Sequence, residues 1–400
     1  MEPTRIIIAG GGIVGLATAY SILQQNGPFR VTVIEKEADI AQHQTGHNSG
    51  VIHSGIYYKP GSLKAINCVK GYQMLLSFCQ ENNIAYERCG KIIVATRKEE
   101  LSTLETLFQR GVTNGLEGVK KLNKDELREY EPHVAGLAGL FVPQTGIVDF
   151  SAVARKLAEK ITSQGGEILT GVRLTRLNQK GREVIVTGND CDYRADIFVN
   201  CAGLYSDVLA RQVFRHLNVR IIPFRGEYYK LRKESEHLVR NLIYPVPDPA
   251  FPFLGVHFTR MIGGGVEAGP NAVLAFRREG YRKADISFSE LAGTLSWPGF
   301  VRVAIKYWRT GLEEMYRSYS KAAFTRALQR LVPEITEDDL VPGGSGVRAQ
   351  ACHRNGTLLD DFLILETERM VHVCNAPSPA ATSSLSIGQH VAAKVLQKIQ

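Results

Sequence analysis

Three glycines near the start of the chain have the spacing of a dinucleotide-binding turn. Gly10, Gly12 and Gly15 stand between an apolar, strand-like run and a helical pattern. The first glycine permits a tight turn, the second lets a pyrophosphate approach the backbone, and the third allows close packing of helix on sheet. Glu35 follows 20 residues after the third glycine, where its carboxylate can accept hydrogen bonds from ribose hydroxyls. The pattern predicts a nucleotide site that disfavours a 2′-phosphate.

A polar loop follows the second predicted strand, where a simple NAD-binding fold would form another crossover helix. Residues 43–50 have the sequence HQTGHNSG and continue into the more apolar stretch VIHSG at 51–55. Small and hydrogen-bonding side chains at this density indicate a segment that lies along a larger cofactor. We therefore expect FAD rather than NAD.

Longer blocks of sequence carry a more specific resemblance. The glycine turn, the segment HQTGHNSGVIHSGIYY at 43–58 and the strand VNCAG at 199–203 resemble the D-amino-acid-oxidase-type family of FAD enzymes. Within that family, further blocks resemble the L-2-hydroxyglutarate dehydrogenases and oxidases: PFRGEY at 223–228, YPVPD at 244–248, PFLGVHFT at 252–259, GPNAV at 269–273, GVRAQ at 346–350 and NAPSPAATSS at 375–384. The resemblance therefore covers nearly the whole chain.

The resemblance implies oxidation of L-2-hydroxyglutarate to 2-oxoglutarate, with hydride transfer to flavin N5 and electrons passed on to a quinone or to oxygen. It implies an α/β fold, in which a doubly wound, Rossmann-like FAD-binding domain is interleaved with an α+β substrate domain built on a mostly antiparallel sheet. The glycine turn and the resemblance together predict these cofactor-binding residues: Gly10, Gly12, Ile13, Val14, Gly15, Glu35, Lys36, Thr45, Gly46, His47, Asn48, Ser49, Val172, Ala202, Gly203, Pro379, Ala380, Ala381 and Thr382.

Oxidation of a secondary alcohol requires a base for the hydroxyl proton, and histidine suits that role near neutral pH. The loop at 43–55 is named here the flavin loop. Within the resembling blocks the candidates are His53, in the apolar part of the flavin loop, and His257, on a predicted strand. Either could instead be a hydrogen-bonded core histidine, so the choice stays open at this point. His47 is expected at the cofactor, and it or His43 could form a covalent link to the flavin.

A substrate with two carboxylates requires cations that can bind them, and arginine does so with two hydrogen bonds. Arg225 and Arg348 are flanked by glycine and apolar residues, which is unusual for a surface charge. We expect both to act at the catalytic site, and the alternative is an ion pair with a buried acid such as Glu227 or Asp360. The predicted substrate-binding residues are Tyr58, Arg225, Tyr228, His257 and Arg348.

The loop at 377–383 leads into a predicted helix that begins at Ser384. Reduced flavin develops negative charge at N1 and C2=O, and a helix N-terminus stabilises such charge through its free N–H groups. The small residues of the loop let the backbone come close to the flavin. Thr382 or Ser383 can cap the helix, which would also suit an ordinary helix start.

Strand and helix patterns place these motifs on two interleaved domains. Predicted parallel strands with helical connections occupy both ends of the chain, and a strand-rich segment lies between them. We assign residues 1–85, 145–215 and 340–400 to the FAD-binding domain, and residues 86–144 and 216–339 to the substrate domain. Helices are predicted over 286–332, with a break at Pro298. The glycine-rich stretch 260–268 departs from the family pattern and leaves the local geometry beside His257 open.

Positive charge is concentrated in one part of the chain. The 400 residues include 48 Lys and Arg against 40 Asp and Glu, a net charge of +8, and residues 277–330 alone hold a net charge of +6. Nucleic acid, an anionic membrane surface or an acidic substrate could each account for such a block. Apolar and aromatic residues accompany the cations over 286–330, which fits either peripheral membrane contact or a helical region with a solvated basic face.

Cysteine usage and hydropathy bear on location. The seven cysteines are an odd number without a CxxC pair, which indicates a reducing compartment, and neither a disulfide framework nor a metal site is expected. The sequence shows no signal peptide before the first strand and no stretch apolar enough to span a membrane. We expect a cytoplasmic protein, not secreted, with room for peripheral contact at the inner face of the membrane.

Two other functions are considered. A flavin oxidase that acts on amino acids would use the same scaffold. A nucleic-acid-binding protein would account for the basic block, but the dinucleotide turn, Glu35 and the nearly neutral remainder of the chain argue against it.

Overall fold

The computed structural model describes residues 2–189, 191–248 and 253–399, so Pro252, the first residue of one resembling block, lies outside them. Within the described residues, the strands are β1 (Thr4–Ala9), β2 (Phe29–Ile34), β3 (Val51–Ile52), β4 (Tyr86–Glu87), β5 (Lys91–Ala95), β6 (Lys120–Asn123), β7 (Ala138–Val142), β8 (Gly146–Val148), β9 (Glu167–Leu169), β10 (Leu174–Lys180), β11 (Glu183–Gly188), β12 (Cys191–Ala195), β13 (Ile197–Asn200), β14 (Val219–Leu231), β15 (Leu242–Pro245), β16 (His257–Arg260), β17 (Val266–Gly269), β18 (Val273–Leu274), β19 (Leu340–His353), β20 (Leu363–Glu366) and β21 (Met370–Asn375).

The α-helices of the described residues follow the predicted apolar periodicities closely. They are α1 (Ile13–Leu23), α2 (Leu63–Glu81), α3 (Leu101–Thr113), α4 (Lys124–Tyr130), α5 (Phe150–Ser163), α6 (Ser206–Ala210), α7 (Phe288–Leu295), α8 (Pro298–Lys306), α9 (Trp308–Tyr319), α10 (Lys321–Gln329) and α11 (Ser384–Leu396). The predicted break at Pro298 is confirmed, because this proline is the first residue of α8, where its missing N–H does no harm.

A six-stranded sheet carries the glycine turn. Its order is β20-β21-β13-β1-β2-β9, and all neighbours are parallel except the edge strand β20. The central strands are apolar on both faces because both faces are covered. Helices α1, α2, α5 and α11 pack on one face, and the three-stranded sheet β10-β11-β12 packs on the other together with α6. Helices α1 and α11 pack so closely that a Cβ on Gly388 would overlap the backbone of Ala17. This doubly wound layer confirms the α/β prediction and fixes the position of the strand ends.

A second, nine-stranded sheet has the order β18-β14-β17-β16-β15-β5-β7-β6, with β19 on the other edge of β14. Its strands pair antiparallel except for β15 with β5, as expected for the substrate domain. The predicted domain boundary at residue 340 does not coincide with a change of sheet. Strand β19, which begins at Leu340, pairs with β14 in this sheet and does not join the parallel one. The division of the chain into two domains stays a prediction.

The glycine-rich stretch beside His257 is the turn of a regular hairpin. Strands β16 and β17 pair in antiparallel register, and the Met261 N–H donates to the Gly265 carbonyl over 2.9 Å. Gly264 and Gly265 have φ angles of +92° and +85°, which only glycine adopts readily. The departure from the family pattern therefore leaves the strand that carries His257 intact.

Candidate active site

A large cavity of about 1580 Å³ lies between the two main sheets. One wall is formed at the carboxyl ends of the parallel strands β1, β2, β13 and β21, where ligands of doubly wound sheets bind. The opposite wall is formed by β14, β15, β16 and β19 of the nine-stranded sheet. This volume exceeds the roughly 300–1,000 Å³ of a usual small-molecule pocket, so it can hold a dinucleotide and a substrate together.

The backbone angles and the space around the three glycines of the turn agree with the roles predicted for them. Gly10 has a φ of +110°, and a Cβ there would overlap the carbonyl of Cys201. A Cβ on Gly15 would overlap the carbonyl oxygen of Gly10, so this glycine sets the approach of α1 to the turn. A Cβ on Gly12 would have only the Thr45 hydroxyl near it, at 3.5 Å. Gly12 therefore leaves the N-terminus of α1 open to a phosphate.

Glu35 directly follows the last residue of β2, lines the cavity and is buried. Its carboxylate accepts hydrogen bonds from the Gly11 N–H at 2.7 Å and the Glu37 N–H at 3.0 Å. These two bonds use one lone pair on each oxygen and leave the others for ribose hydroxyls.

Lys36 forms a polar cluster beside Glu35. Its ammonium group pairs with the carboxylates of Glu37 and Glu279, and lies 2.7 Å from His43 Nε2. Glu37, His43 and Glu279 are close enough together to hold a metal ion, but the Lys36 ammonium already bonds to all three. His43 Nδ1 is 3.0 Å from the Tyr281 hydroxyl, so both ring nitrogens have partners here.

The flavin loop is tied to both walls of the cavity. The Thr45 hydroxyl accepts a 3.0 Å hydrogen bond from the Ile13 N–H at the start of α1. His47 Nδ1 donates to the Ser345 carbonyl at 3.0 Å, and its ring lies 4.4 Å from that of Tyr281. Asn48 bonds back to the Thr45 carbonyl and accepts from the Gly50 N–H. The loop is thereby held along the cavity in the manner expected of a cofactor-lining segment.

The predicted cofactor residues line this cavity with two exceptions. Gly15 and Gly46 lie behind its wall, where a Cβ on Gly46 would overlap the carbonyl of Ala41. The predicted residues that line it are Gly10, Gly12, Ile13, Val14, Glu35, Lys36, Thr45, His47, Asn48, Ser49, Val172, Ala202, Gly203, Pro379, Ala380, Ala381 and Thr382. An open glycine turn, an acid at the ribose position and a lining of small residues fit FAD.

The start of α11 differs from the expected cap. No side chain caps this helix, and Thr382 instead accepts from the His53 N–H at 3.1 Å and donates to the Val51 carbonyl at 3.3 Å. Thr382 therefore ties the helix start to the flavin loop. The hydroxyls of Ser383 and Ser384 are buried without a hydrogen-bond partner among the described residues. The uncapped N-terminus adjoins the cavity and suits a negatively charged ligand group.

Replacement of Gly15 by alanine should reduce both stability and FAD content. The added methyl group would overlap the Gly10 carbonyl and push α1 away from the turn, at a cost of about 1–3 kcal/mol for overpacking. FAD absorbance per protein and the thermal unfolding midpoint measure the two effects. Gly311→Ala is the matched control, because this glycine lies in α9 with no atom near an added Cβ. Equal FAD content in both variants would contradict the packing role of Gly15.

The two candidate base histidines both reach the cavity. His257 Nδ1 donates to the Gly255 carbonyl at 2.9 Å, and since a carbonyl can only accept, this bond leaves Nε2 as the acceptor nitrogen. Burial lowers the pKa of His257 to about 3, with the charge of Arg348 contributing. Burial likewise lowers the pKa of His53 to about 3, but His53 Nδ1 is buried without a partner in the described chain. Both rings are neutral at neutral pH, and only His257 has its tautomer set by a backbone hydrogen bond.

The two predicted arginines occupy opposite faces of the β14–β19 ladder. Arg348 pairs with Phe224 and Arg225 with Val347, and since neighbouring residues of a strand point to opposite sides, the two guanidinium groups point apart. Arg348 lines the cavity, 5.7 Å from the ring of Phe253, and no carboxylate of the described residues forms an ion pair with it.

The structure differs from the expectation for Arg225. Its side chain is buried outside the cavity lining, forms a 3.0 Å ion pair with Glu227 and donates to the Arg282 carbonyl at 3.3 Å. This ion pair is the alternative that the sequence left open. The alternative partner Asp360 instead pairs with Lys64 at 2.7 Å.

Aromatic residues complete the substrate side. Tyr58 and Tyr228 line the cavity as predicted, and burial raises the pKa of both hydroxyls, so they remain hydrogen-bond donors. Sequence reasoning missed Tyr244, whose ring lies 4.0 Å from that of His257. It also missed Lys91, a fully buried lysine behind the wall, although a lysine within the apolar strand KIIVA is a visible signal.

Comparisons with known proteins agree with this geometry. Residues 5–394 match the family described as FAD dependent oxidoreductase. The chain is 58% identical over 395 residues to an L-2-hydroxyglutarate dehydrogenase from Indibacter alkaliphilus, covering 98% of this chain and 99% of that protein. It is 47% identical over 390 residues to the L-2-hydroxyglutarate dehydrogenase of Escherichia coli strain K12, covering 97% and 92%. A dithionite-reduced L-α-glycerophosphate oxidase from Mycoplasma pneumoniae with FAD bound has the same fold, with a TM-score of 0.80 at 24% identity and coverage of 99% and 95%.

Proposed function

The chain belongs to the FAD-dependent oxidoreductases, in the group of the L-2-hydroxyglutarate dehydrogenases, and we propose that it oxidises L-2-hydroxyglutarate to 2-oxoglutarate with FAD as its cofactor. One observation carries this proposal. One cavity joins a dinucleotide-binding turn to a wall that bears a neutral histidine, His257, and the guanidinium of Arg348, which forms no ion pair with a carboxylate of the described residues. When bound, FAD would supply the acceptor for the hydride that leaves C2 of the substrate.

We infer that His257 is the base for the substrate hydroxyl. The Gly255 carbonyl holds the proton on Nδ1, so Nε2 keeps a lone pair that can accept the hydroxyl proton. The low pKa of His257 in the free enzyme keeps this lone pair available at neutral pH. Two substrate carboxylates would favour the protonated ring when they arrive, and so raise its basicity in the complex.

Arg348 is the proposed ligand of a substrate carboxylate. Its guanidinium lies in the cavity wall, where no carboxylate of the described chain pairs with it, and arginine binds carboxylates through two parallel hydrogen bonds. Tyr58 and Tyr228 would donate further hydrogen bonds from their neutral hydroxyls. His53, at the flavin loop, would contribute to the wall between cofactor and substrate. Arg225 is left out of this site because Glu227 already pairs with it.

Anaerobic titration with a panel of substrates tests the reaction class. L-2-Hydroxyglutarate should bleach the flavin absorbance completely, whereas L-glutamate and other amino acids should not. Bleaching by an amino acid alone would favour the second candidate, an amino-acid oxidase on the same fold. The product of complete bleaching should be 2-oxoglutarate in a one-to-one ratio to FAD.

The helices α7–α9 present an apolar surface with basic neighbours, named here the α7–α9 surface. Its most exposed apolar side chain is Phe288, at 84%, and Ile305 and Leu312 are 70% and 62% exposed. Arg302 and Lys306 lie on α8 and also line the cavity. Among the described residues, no helix combines the length and apolarity needed to span a membrane.

We propose that the α7–α9 surface docks on an anionic membrane. Apolar side chains would enter the interface while the cations face lipid headgroups, as in other interfacial helices. Since α8 forms both the surface and part of the cavity wall, a membrane quinone is the proposed electron acceptor. Reoxidation of the reduced enzyme should then be faster with a soluble quinone than with oxygen.

Removal of apolar side chains from the α7–α9 surface should weaken membrane binding. The double variant Ile305→Ser/Leu312→Ser should lower partition onto vesicles of anionic lipid by about tenfold or more, given roughly 1.5–3 kcal/mol for each buried side chain. Co-sedimentation with vesicles measures the partition. Val112→Ser/Leu137→Ser is the matched control, since both residues are exposed elsewhere, at 53% and 45%. Equal partition of both double variants would contradict the docking proposal.

A further inference from the structure

Lys91 is a fully buried lysine of the predicted substrate domain. It begins β5 in the nine-stranded sheet and is only 1% exposed. Its Nζ has no hydrogen-bond acceptor among the described residues. Instead it lies between two tyrosine rings, 4.3 Å from the centre of Tyr57 and 4.9 Å from the centre of Tyr244. Both of these tyrosines line the active-site cavity, so Lys91 stands one layer behind the substrate wall.

Within the part of the chain that the structure describes, no carboxylate pairs with Lys91. Burial lowers the pKa of Lys91 to about 7, and burial raises the pKa of the Cys68 thiol to about 12, so that thiol stays neutral. The titratable groups that face Lys91 are Tyr57, Tyr244, Cys68, His53 and His257. A buried ammonium without a partner is destabilising unless something supplies negative charge. The Tyr57 hydroxyl is a second buried polar atom without a partner in the described chain.

Two cations act on the ring of His257, the proposed base. They are Arg348, which lines the cavity, and Lys91 behind it, and the charge of each lowers the pKa of His257. Lys64, a third cation that acts on His53, is paired with Asp360, and Arg225 points away and is paired with Glu227. Other cations, such as Arg302 and Lys306, line the cavity on α8. At the substrate wall beside His257, Lys91 is therefore the cation that accompanies Arg348.

We propose that the Lys91 ammonium is the second positive charge of the substrate site and acts through the rings of Tyr57 and Tyr244 rather than by contact. A cation on the face of a phenol ring draws electron density from it and makes the hydroxyl a stronger donor. Lys91 is thus a positioning residue that makes the site selective for a dicarboxylate over a monocarboxylate. This inference rests on the proposed function.

Lys91→Met separates the charge from the packing. In the holoenzyme, the dissociation constant for 2-oxoglutarate should rise about tenfold, as expected for loss of an opposite charge at close range in a protein. The constant for 2-oxovalerate, which lacks the second carboxylate, should change less than about twofold. Lys121→Met is the matched control. Lys121 lies on β6 of the same sheet as Lys91 and its Nζ is 4.5 Å from the centre of the Phe108 ring, but it lies outside the cavity lining. Perturbation of the flavin spectrum measures each constant.

The pH dependence of the wild-type enzyme provides a test that needs no variant. The enzyme with Lys91 protonated should bind the dicarboxylate more tightly. The dissociation constant for 2-oxoglutarate should therefore rise as the pH increases through the pKa of Lys91. The constant for 2-oxovalerate should stay nearly flat, and Lys91→Met should abolish the dependence. Because the folded pKa is depressed, the wild type is destabilised as the pH falls from 10.5 toward 7, and Lys91→Met should melt no lower than wild type at pH 7.

Two failures can be told apart. If L-2-hydroxyglutarate does not reduce the wild-type flavin, the proposed function itself fails. If it does, but 2-oxoglutarate binding is flat from pH 6 to 9 or Lys91→Met changes both ligands equally, only the role of Lys91 is overturned.

Discussion

Substitution of His257 by alanine is expected to slow reduction of the flavin by L-2-hydroxyglutarate about 10²- to 10⁴-fold, the usual contribution of general-base catalysis. The reason is local, because Nε2 of this ring is the acceptor nitrogen that the Gly255 hydrogen bond leaves free at the cavity. Anaerobic stopped-flow absorbance of the flavin measures the rate directly. The FAD content of the variant should stay normal, since His257 lies on the substrate wall.

His216→Ala is the control, because this exposed histidine lies outside the cavity lining. His53→Ala provides the comparison within the site. A reduction rate near wild type for His257→Ala, together with a slow rate for His53→Ala, would move the base to His53.

Substitution of Arg348 by methionine is expected to raise KM for L-2-hydroxyglutarate strongly. Hydrogen bonds to charged groups contribute about 1.5–3 kcal/mol, which corresponds to roughly 10- to 150-fold in binding. In the variant, the substrate carboxylate would lose its hydrogen bonds to water on binding and would find no guanidinium in the cavity wall to replace them. Steady-state kinetics with a soluble quinone gives KM, and flavin absorbance checks that the cofactor remains bound.

Arg225→Met is the informative counterpart because it removes the arginine on the other face of the same ladder. It would leave the Glu227 carboxylate without its close guanidinium partner, so we expect a loss of about 3 kcal/mol in unfolding free energy with KM nearly unchanged. A large rise in KM for Arg225→Met, with none for Arg348→Met, would contradict the assignment.

The local patterns of the chain were strong enough to predict the cofactor side of the cavity. The glycine turn, Glu35 and the flavin loop depend on residues close in sequence, and the structure brings them together as expected. Helix boundaries such as Pro298 also follow from short-range chemistry.

The substrate side was harder to predict because it depends on long-range strand pairing. Strand β14 pairs with β19 more than 100 residues later, and the register decides whether Arg225 and Arg348 lie on the same face of the ladder. A shift of one residue would have paired the two arginines and placed both guanidinium groups on one face, and no local pattern reveals the register. Lys91 is buried by tyrosines from the segment before α2 and from β15, so only the folded chain shows what surrounds it.

The most direct test of the proposed reaction is anaerobic reduction of the holoenzyme by L-2-hydroxyglutarate carrying deuterium at C2. Both isotopic forms should bleach the flavin fully and yield 2-oxoglutarate, and the deuterated form should do so more slowly because the C2–H bond breaks as the flavin is reduced. A flavin that stays oxidised in the presence of saturating L-2-hydroxyglutarate would contradict the proposed reaction.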